Sequence, residues 1–316
     1  YIRDSIQITS GGYIKWIDFT VSYNALTAAL SADIKSYESG RPHVNWIAIL
    51  AYLASRYGGN FSRFKQKDID SFISRIESRE SIQDITANLK YYAYYYQAYK
   101  AILAGFVGSY LIEVSDNNPP QGKKMIVKYG LKAFSPIAKG YSFSHCRDFG
   151  NQRNFGYSRK HLGNDLMGSI GTPIVAVESG IVEELGWNRY GGWRIGIRSF
   201  DKKRYYYYAH LRKNSPYHKD MRKGRIVKAG DVIGYLGMTG YSYKENVNNI
   251  NVPHLHFGLQ IIFDESQKDG VNQIWIDVYN LVELLQKNKS AVTKDPVTAD
   301  FNRTYDFFEP GLMYGY

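Results

Sequence analysis

Apolar positions recur at helical spacing through the first third of the chain. Leu26, Leu30, Ile34 and Tyr37 share one face, with Ser22 placed as an N-cap. Trp46, Leu50, Leu53 and Tyr57 repeat the stripe until Tyr57-Gly58-Gly59-Asn60 breaks it. Ile69, Phe72, Ile73 and Ile76 form a third stripe, followed by Ile82, Ile85 and Leu89. The Tyr91–Tyr99 run, continued by Ala101–Phe106, predicts one long buried helix. The sequence S-D-N-N-P-P-Q-G at 115–122 carries a linker signature. From 171 to 262 short β-prone runs alternate with Gly, Asn and Asp turns, which predicts an antiparallel sheet. Trp275 to Leu285 predicts a short closing helix. The tail beyond about 290 holds Pro296, Pro310 and scattered aromatics, compatible with wrapping the surface or hanging loose. The pattern predicts an α+β chain. A helical module spans 1–115, a linker and lead-in 116–143, a β-rich domain 144–289 and a tail 290–316.

With 316 residues, 44% of them hydrophobic, the chain can bury a core of this size. The formal charge of +11 suggests an anionic partner. The lysines are scattered and no nucleic-acid motif is present, so nucleic acid is not expected. Tyrosine is frequent, 29 residues, and most are expected in core and interfaces. No apolar run approaches the ~20 residues of a membrane span, so any signal or anchor is expected outside this stretch. Cys146 is the single cysteine, which rules out an intrachain disulfide here. Its neighbour His145 is no evidence of a nucleophile, because a catalytic base must be close in space rather than in sequence.

The chemistry is concentrated in three segments, H-L-G-N-D at 161–165, Y-Y-Y-Y-A-H-L at 205–211 and P-H-L-H-F-G at 253–258. They hold four of the seven histidines. Catalytic zinc takes three protein ligands and leaves a position open for water. Gly163 would ease a tight turn between His161 and Asp165. His254 and His256, two apart, would point to one face of a strand. His210 ends an aromatic run and would project from a strand into the same cleft. Each segment alone is weak, since a single histidine in an aromatic strand is usually a rim or core residue. Together, in β-rich sequence with glycine turns, they point to a mononuclear zinc hydrolase. Neither an H-E-x-x-H helix nor a Cys-rich zinc motif is present.

The three segments resemble the H-x-G-x-D, hydrophobic-x-H and H-x-H signatures of lysostaphin/LytM-type zinc metallopeptidases, which cut peptidoglycan peptides. The similarity runs from about Ser144 to Leu285 and includes G-T-P-I-V-A-V-E-S-G-I-V at 171–182, W-N-R-Y-G-G-W-R-I-G-I at 187–197 and V-K-A-G-D-V-I-G-Y-L-G-M-T-G at 227–240. The last stretch is also similar to half of a lipoyl carrier barrel, but no modifiable Met-Lys hairpin accompanies it. The resemblance implies His161, Asp165 and His256 as metal ligands, and His210 and His254 as catalytic histidines without a metal bond. Some members add a substrate-polarising tyrosine shortly before the first motif. Here that stretch reads N-F-G-Y-S-R-K, which offers Tyr157 for substrate or oxyanion contact, with Phe155 as the competing position.

The implied function is hydrolysis of peptide bonds in peptidoglycan, cross-bridge or stem, through a zinc-bound water. Zinc is the implied cofactor. Peptidoglycan is the implied partner, with anionic wall polymers fitting the charge. The implied location is extracytoplasmic, at a bacterial cell surface or wall. The alternative is a catalytically silent LytM-like module that binds wall or activates another hydrolase. Such modules generally lack the metal ligands, all of which are present here.

Overall fold

The computed structural model describes residues 13–116 and 122–310. Among these residues the fold is mixed, with six α-helices and mostly antiparallel sheets. The chain divides into two compact units. One takes the residues up to Ala104 together with Ile261–Ile276, and the other takes Gly105–Gln260 with the residues from Asp277 onward.

The first unit is built on α1 (Tyr23–Glu38), α2 (Trp46–Tyr57), α3 (Gln66–Glu77), α4 (Ile82–Thr86) and α5 (Tyr92–Leu103). Ser22 caps α1 by accepting from the Ala25 amide, and Asn45 caps α2 through the Ile47 amide. Gly58 ends α2 in the left-handed conformation that glycine adopts without strain. Trp46 through Ala54 are all buried, so α2 is the central helix rather than an amphipathic one. The α1 stripe fades at its end, where Tyr37 is exposed. The predicted long helix stops at Leu103. Its buried residues are Ala98, Tyr99, Ala101, Ile102 and Leu103, while Tyr92, Tyr94, Tyr95 and Tyr96 are half-buried. The segment 261–276 belongs to this unit: Gln267 Nε2 donates to the Ile14 carbonyl at 2.9 Å. Its Ile274–Ile276 is a strand, so the closing helix is shorter than predicted, Tyr279–Leu285.

The second unit opens with a hairpin of β1 (Val107–Asp116) and β2 (Gly122–Leu131). Asp116 faces Gly122 across it, so the Pro-Gly stretch read as a linker joins two paired strands. Its residues 117–121 lie outside the described ones. The strands that follow are β3 (Ser144–His145), β4 (Gln152–Arg153), β5 (Arg159–Lys160), β6 (Asn164–Met167), β7 (Pro173–Val175), β8 (Gly180–Asn188), β9 (Gly192–Ser199), β10 (Arg204–Ala209), β11 (Ile226–Val227), β12 (Val232–Tyr235) and β13 (His254–Ile261). The main sheet has the order β11-β8-β9-β10-β13-β6-β3. Its core side chains include Tyr206, Tyr208, Leu255 and Phe257, all buried. The described part of the tail is packed rather than loose. Val292–Lys294 pairs with Phe301–Arg303, and Phe307, fully buried against Phe134, pairs with Ile112 of β1.

Candidate metal centre

Two adjacent strands set up the centre. In the register of β6 and β13, His256 lies directly opposite Asp165 and His254 opposite Met167. Residues opposite one another on neighbouring strands present their side chains to the same face. His161 precedes β6 and is pinned by two backbone bonds, its amide to Asn151 and its carbonyl to Gly150, each 2.8 Å. His161 Nε2 then lies 2.7 Å from His256 Nδ1 and 3.0 Å from Asp165 Oδ1. His256 Nδ1 is 3.3 Å from the same carboxylate oxygen. Tetrahedral zinc with ligands at ~2.05 Å has neighbouring donors about 3.3 Å apart. The two nitrogens and one oxygen therefore already approximate three corners of such a site.

Gly163 is needed for space. Its φ is not positive, and a Cβ there would come within 2.6 Å of the Phe257 carbonyl and 2.8 Å of the His256 ring. The turn-forming role predicted for it is therefore replaced by a packing one.

The three donors rest on a layer of charges. His161 Nδ1 is 3.0 Å from the Asp148 carbonyl and 3.2 Å from its carboxylate, which fixes the ring with Nε2 inward. Asp148 Oδ1 also accepts from the Asp165 amide at 3.2 Å. Arg153 donates to Asp148 Oδ2 at 2.7 Å and to Asp165 Oδ2 at 3.0 Å, leaving Asp165 Oδ1 for the centre. Burial works against a charged His161, but Asp148 and Asp165 outweigh it and push its pKa up to about 9. Burial would raise the Asp165 pKa, yet the bonds from His161 and His256 hold it far below the usual carboxylate range. Burial lowers His256.

His210 and His254 stand beside this set with their rings 4.8 Å apart. His254 Nδ1 donates to the Val252 carbonyl at 2.8 Å, and His210 Nδ1 to the Thr239 carbonyl at 2.8 Å. A carbonyl only accepts, so each ring carries a proton on Nδ1, and in the neutral tautomer that this fixes the lone pair is on Nε2. His254 Nε2 is 3.6 Å from Asp165 Oδ1. His210 does not lie in a strand. It follows the end of β10 with φ +62°, a left-handed conformation unusual outside glycine. Its amide is held at 2.7 Å by the Gly191 carbonyl, and Gly240 leaves room for its ring, since a Cβ there would meet Nδ1 at 3.0 Å. Burial, then repulsion from His254 and His256, keeps His210 neutral well below its ordinary pKa.

An aromatic wall adjoins the histidines. The ring meeting His210 is Tyr241, edge-on at 5.8 Å, and Phe155 stacks on Tyr241 at 5.3 Å. Tyr157 is 57% exposed and rests against Tyr190 instead. Tyr207 borders His256 at 5.7 Å. Cys146 is half-buried and burial pushes its thiol pKa up, which disfavours a nucleophilic thiolate. His145 is engaged elsewhere, stacked on Tyr279 and 3.4 Å from Glu283.

The structure thus brings His161, Asp165, His256, His210 and His254 together, with Tyr157 at the margin. Sequence reasoning missed Asp148, Arg153 and Tyr241. Arg153 reaches the centre through the two-residue pairing of β4 with β5, too short to leave a hydrophobic signature.

Comparison with known proteins finds relatives of this part of the chain. The chain is 40% identical over 134 residues to the L-Ala–D-Glu endopeptidase of Bacillus subtilis, covering 42% of this chain and 39% of that protein. It is 41% identical over 98 residues to lysostaphin of Staphylococcus simulans, covering 31% of this chain and 17% of that protein. The chain thus spans about two fifths or less of the length of these curated relatives. A solved structure from Ruminococcus gnavus, described as a candidate glycyl-glycine endopeptidase LytM, shares the fold over 87% of this chain and 91% of its own, with TM-score 0.57 and 20% identity. The matching family description, Peptidase family M23, extends from residue 159 to 272 and contains all five of the clustered residues, so this part of the chain is a domain of peptidase family M23.

Proposed function

We propose that the chain is a zinc-dependent endopeptidase that hydrolyses peptide bonds of bacterial peptidoglycan. The observation that carries this reading is the convergence of His161 Nε2, Asp165 Oδ1 and His256 Nδ1 beside two histidines whose Nδ1 protons are already committed. His161, Asp165 and His256 would hold the zinc. When bound, zinc supplies Lewis-acid chemistry, polarising a carbonyl and lowering the pKa of water to about 7.

The residues of the chain do the rest. With Nδ1 committed to a backbone carbonyl, the neutral tautomer of His210 or His254 presents Nε2 as an acceptor. Either can take a proton from the attacking water and return it to the departing amide nitrogen as the C–N bond breaks and the C–O bond forms. Once protonated, the same ring is a hydrogen-bond donor to the oxyanion of the tetrahedral intermediate. Arg153 and Asp148 orient the donor set and do not touch substrate.

A peptidoglycan substrate is supported by the relatives, which are named for alanyl-glutamyl and glycyl-glycine bonds. The excess of 11 positive charges suits an anionic wall, and an extracytoplasmic site of action follows from that substrate. No described helix is long and apolar enough to cross a membrane. A silent wall-binding module would have no need of the complete donor set. The test is zinc stoichiometry of the purified chain, with mass spectrometry of fragments released from chemically distinct peptidoglycans. About one zinc per chain and defined peptide fragments, absent with the His210→Ala variant, are expected.

A further inference from the structure

The chemistry above leaves two guanidinium groups unused on the aromatic wall. Arg159, on β5, lies 4.5 Å from the Tyr190 ring centre and 5.2 Å from that of Tyr241. Arg189, exposed at the tip between β8 and β9, lies 4.6 Å from Tyr190 and 5.5 Å from Tyr243. Tyr241 is the ring that meets His210, so Arg159 stands one side chain away from a proton-transfer group.

Several other arginines of this unit are paired with carboxylates. Arg153 is paired with Asp148, Arg194 with Glu184 and Arg204 with Glu178. Among the described residues neither Arg159 nor Arg189 has a carboxylate within ion-pair distance. Arg159 spends one N–H on the Phe155 carbonyl at 3.0 Å, out of five that a guanidinium offers. The hydroxyl of Tyr190, whose ring both arginines approach, is buried without a hydrogen-bond partner. Stacking on aromatic faces holds a guanidinium plane in place while leaving its edge donors available to a carboxylate. A bland packing role would explain the stacking, but not two uncompensated cations converging on one tyrosine with an unsatisfied hydroxyl.

We infer that this wall is a carboxylate subsite, and that the favoured substrate is a peptide with a free carboxylate within a residue or two of the scissile bond. The inference rests on the peptidase reading and narrows it. Glycine bridges have no such group, whereas an alanyl-glutamyl stem peptide does.

The experiment uses the zinc-loaded full chain and three soluble peptides. They are an alanyl-glutamyl stem-type peptide with its free carboxylate, the same peptide with that group as a carboxamide, and pentaglycine amidated at its C-terminus so that it carries no carboxylate. The expected result is kcat/KM at least about tenfold higher for the acid than for the amide, the size of one charge-assisted hydrogen bond, with pentaglycine slower than the acid. In the double variant R159Q/R189Q the acid-to-amide ratio should fall toward one, chiefly through KM, and R159K should keep part of it. The comparison on the unaltered chain stands even if a variant folds poorly. Equal rates on acid and amide, or pentaglycine as the best of the three, would overturn the subsite while leaving the peptidase reading intact. Cleavage of none of the three would overturn that reading, and the subsite with it.

Discussion

Asp165 and His256 face each other in register across β6 and β13, with Oδ1 and Nδ1 3.3 Å apart. A ladder of backbone hydrogen bonds thus sets the spacing of two proposed ligands, so removing one side chain should leave the other in place. Asp165→Ala and His256→Ala are expected to lose zinc affinity by at least about 100-fold, a larger effect than the loss of stability in either apo protein. Metal titration alongside calorimetry measures both. Full zinc occupancy in the triple His161/Asp165/His256 alanine variant would sink the assignment.

His210→Ala and His254→Ala should keep zinc and lose most turnover, by ~10²–10⁴ in kcat. Both rings are anchored by their own backbone carbonyls rather than by the donor set. If either variant lost zinc while His256→Ala retained it, the ligand and proton-transfer roles would be reversed.

The raised pKa of His161 gives a dependence on pH with a definite sign. In zinc-free protein its folded pKa, about 9, exceeds the unfolded value near 6.5. Its contribution to stability is therefore fully present below pH 6.5 and is lost as pH rises through 9. Zinc needs the unprotonated Nε2, so zinc and proton compete. Apparent zinc affinity should rise about tenfold per pH unit between 7 and 9 and flatten above. Titration calorimetry in buffers of different ionisation enthalpy should find about one proton released at pH 7.5, and an affinity flat over this range would contradict the assignment.

Gly163→Ala is expected to be costly although alanine can adopt the backbone there. The added methyl would press on the Phe257 carbonyl at 2.6 Å and on the His256 ring. A loss of about 1–3 kcal/mol in stability is the usual scale for overpacking, accompanied here by weaker zinc binding. Denaturant melts with and without zinc separate the two effects. An unchanged zinc affinity would show that the His256 ring has room to retreat.

Much of the centre was legible in the sequence because its parts are local. His254-x-His256 needs only a strand, and His161 to Asp165 only a short lead into one. Helix stripes were legible for the same reason, down to the Ser22 cap. What was not legible depends on distant pairing. Arg153 is aimed at Asp165 by a miniature hairpin too short to leave a pattern, and Tyr241 reaches His210 from a loop 31 residues on. The Pro-Gly stretch at 115–122 has the composition of a linker, but whether its flanks separate or pair is decided by Val107–Asp116 finding Gly122–Leu131. The placement of 261–276 left no local mark, since Gln267 reaches Ile14 across 253 positions of sequence.

That last placement bears on how the chain is made. The helical unit draws on two segments separated by residues 105–260, so it cannot close until residue 276 has been synthesised. Domains ordinarily fold as they emerge, N-terminal first, at ~5–20 residues per second. Here the first helices must wait ten seconds or more, on that scale, for their last piece. By then His161, Asp165, His210, His254 and His256 have all been synthesised. The order of synthesis therefore lets the strands of the main sheet up to β13, which ends at Ile261, be made before the helical unit is complete.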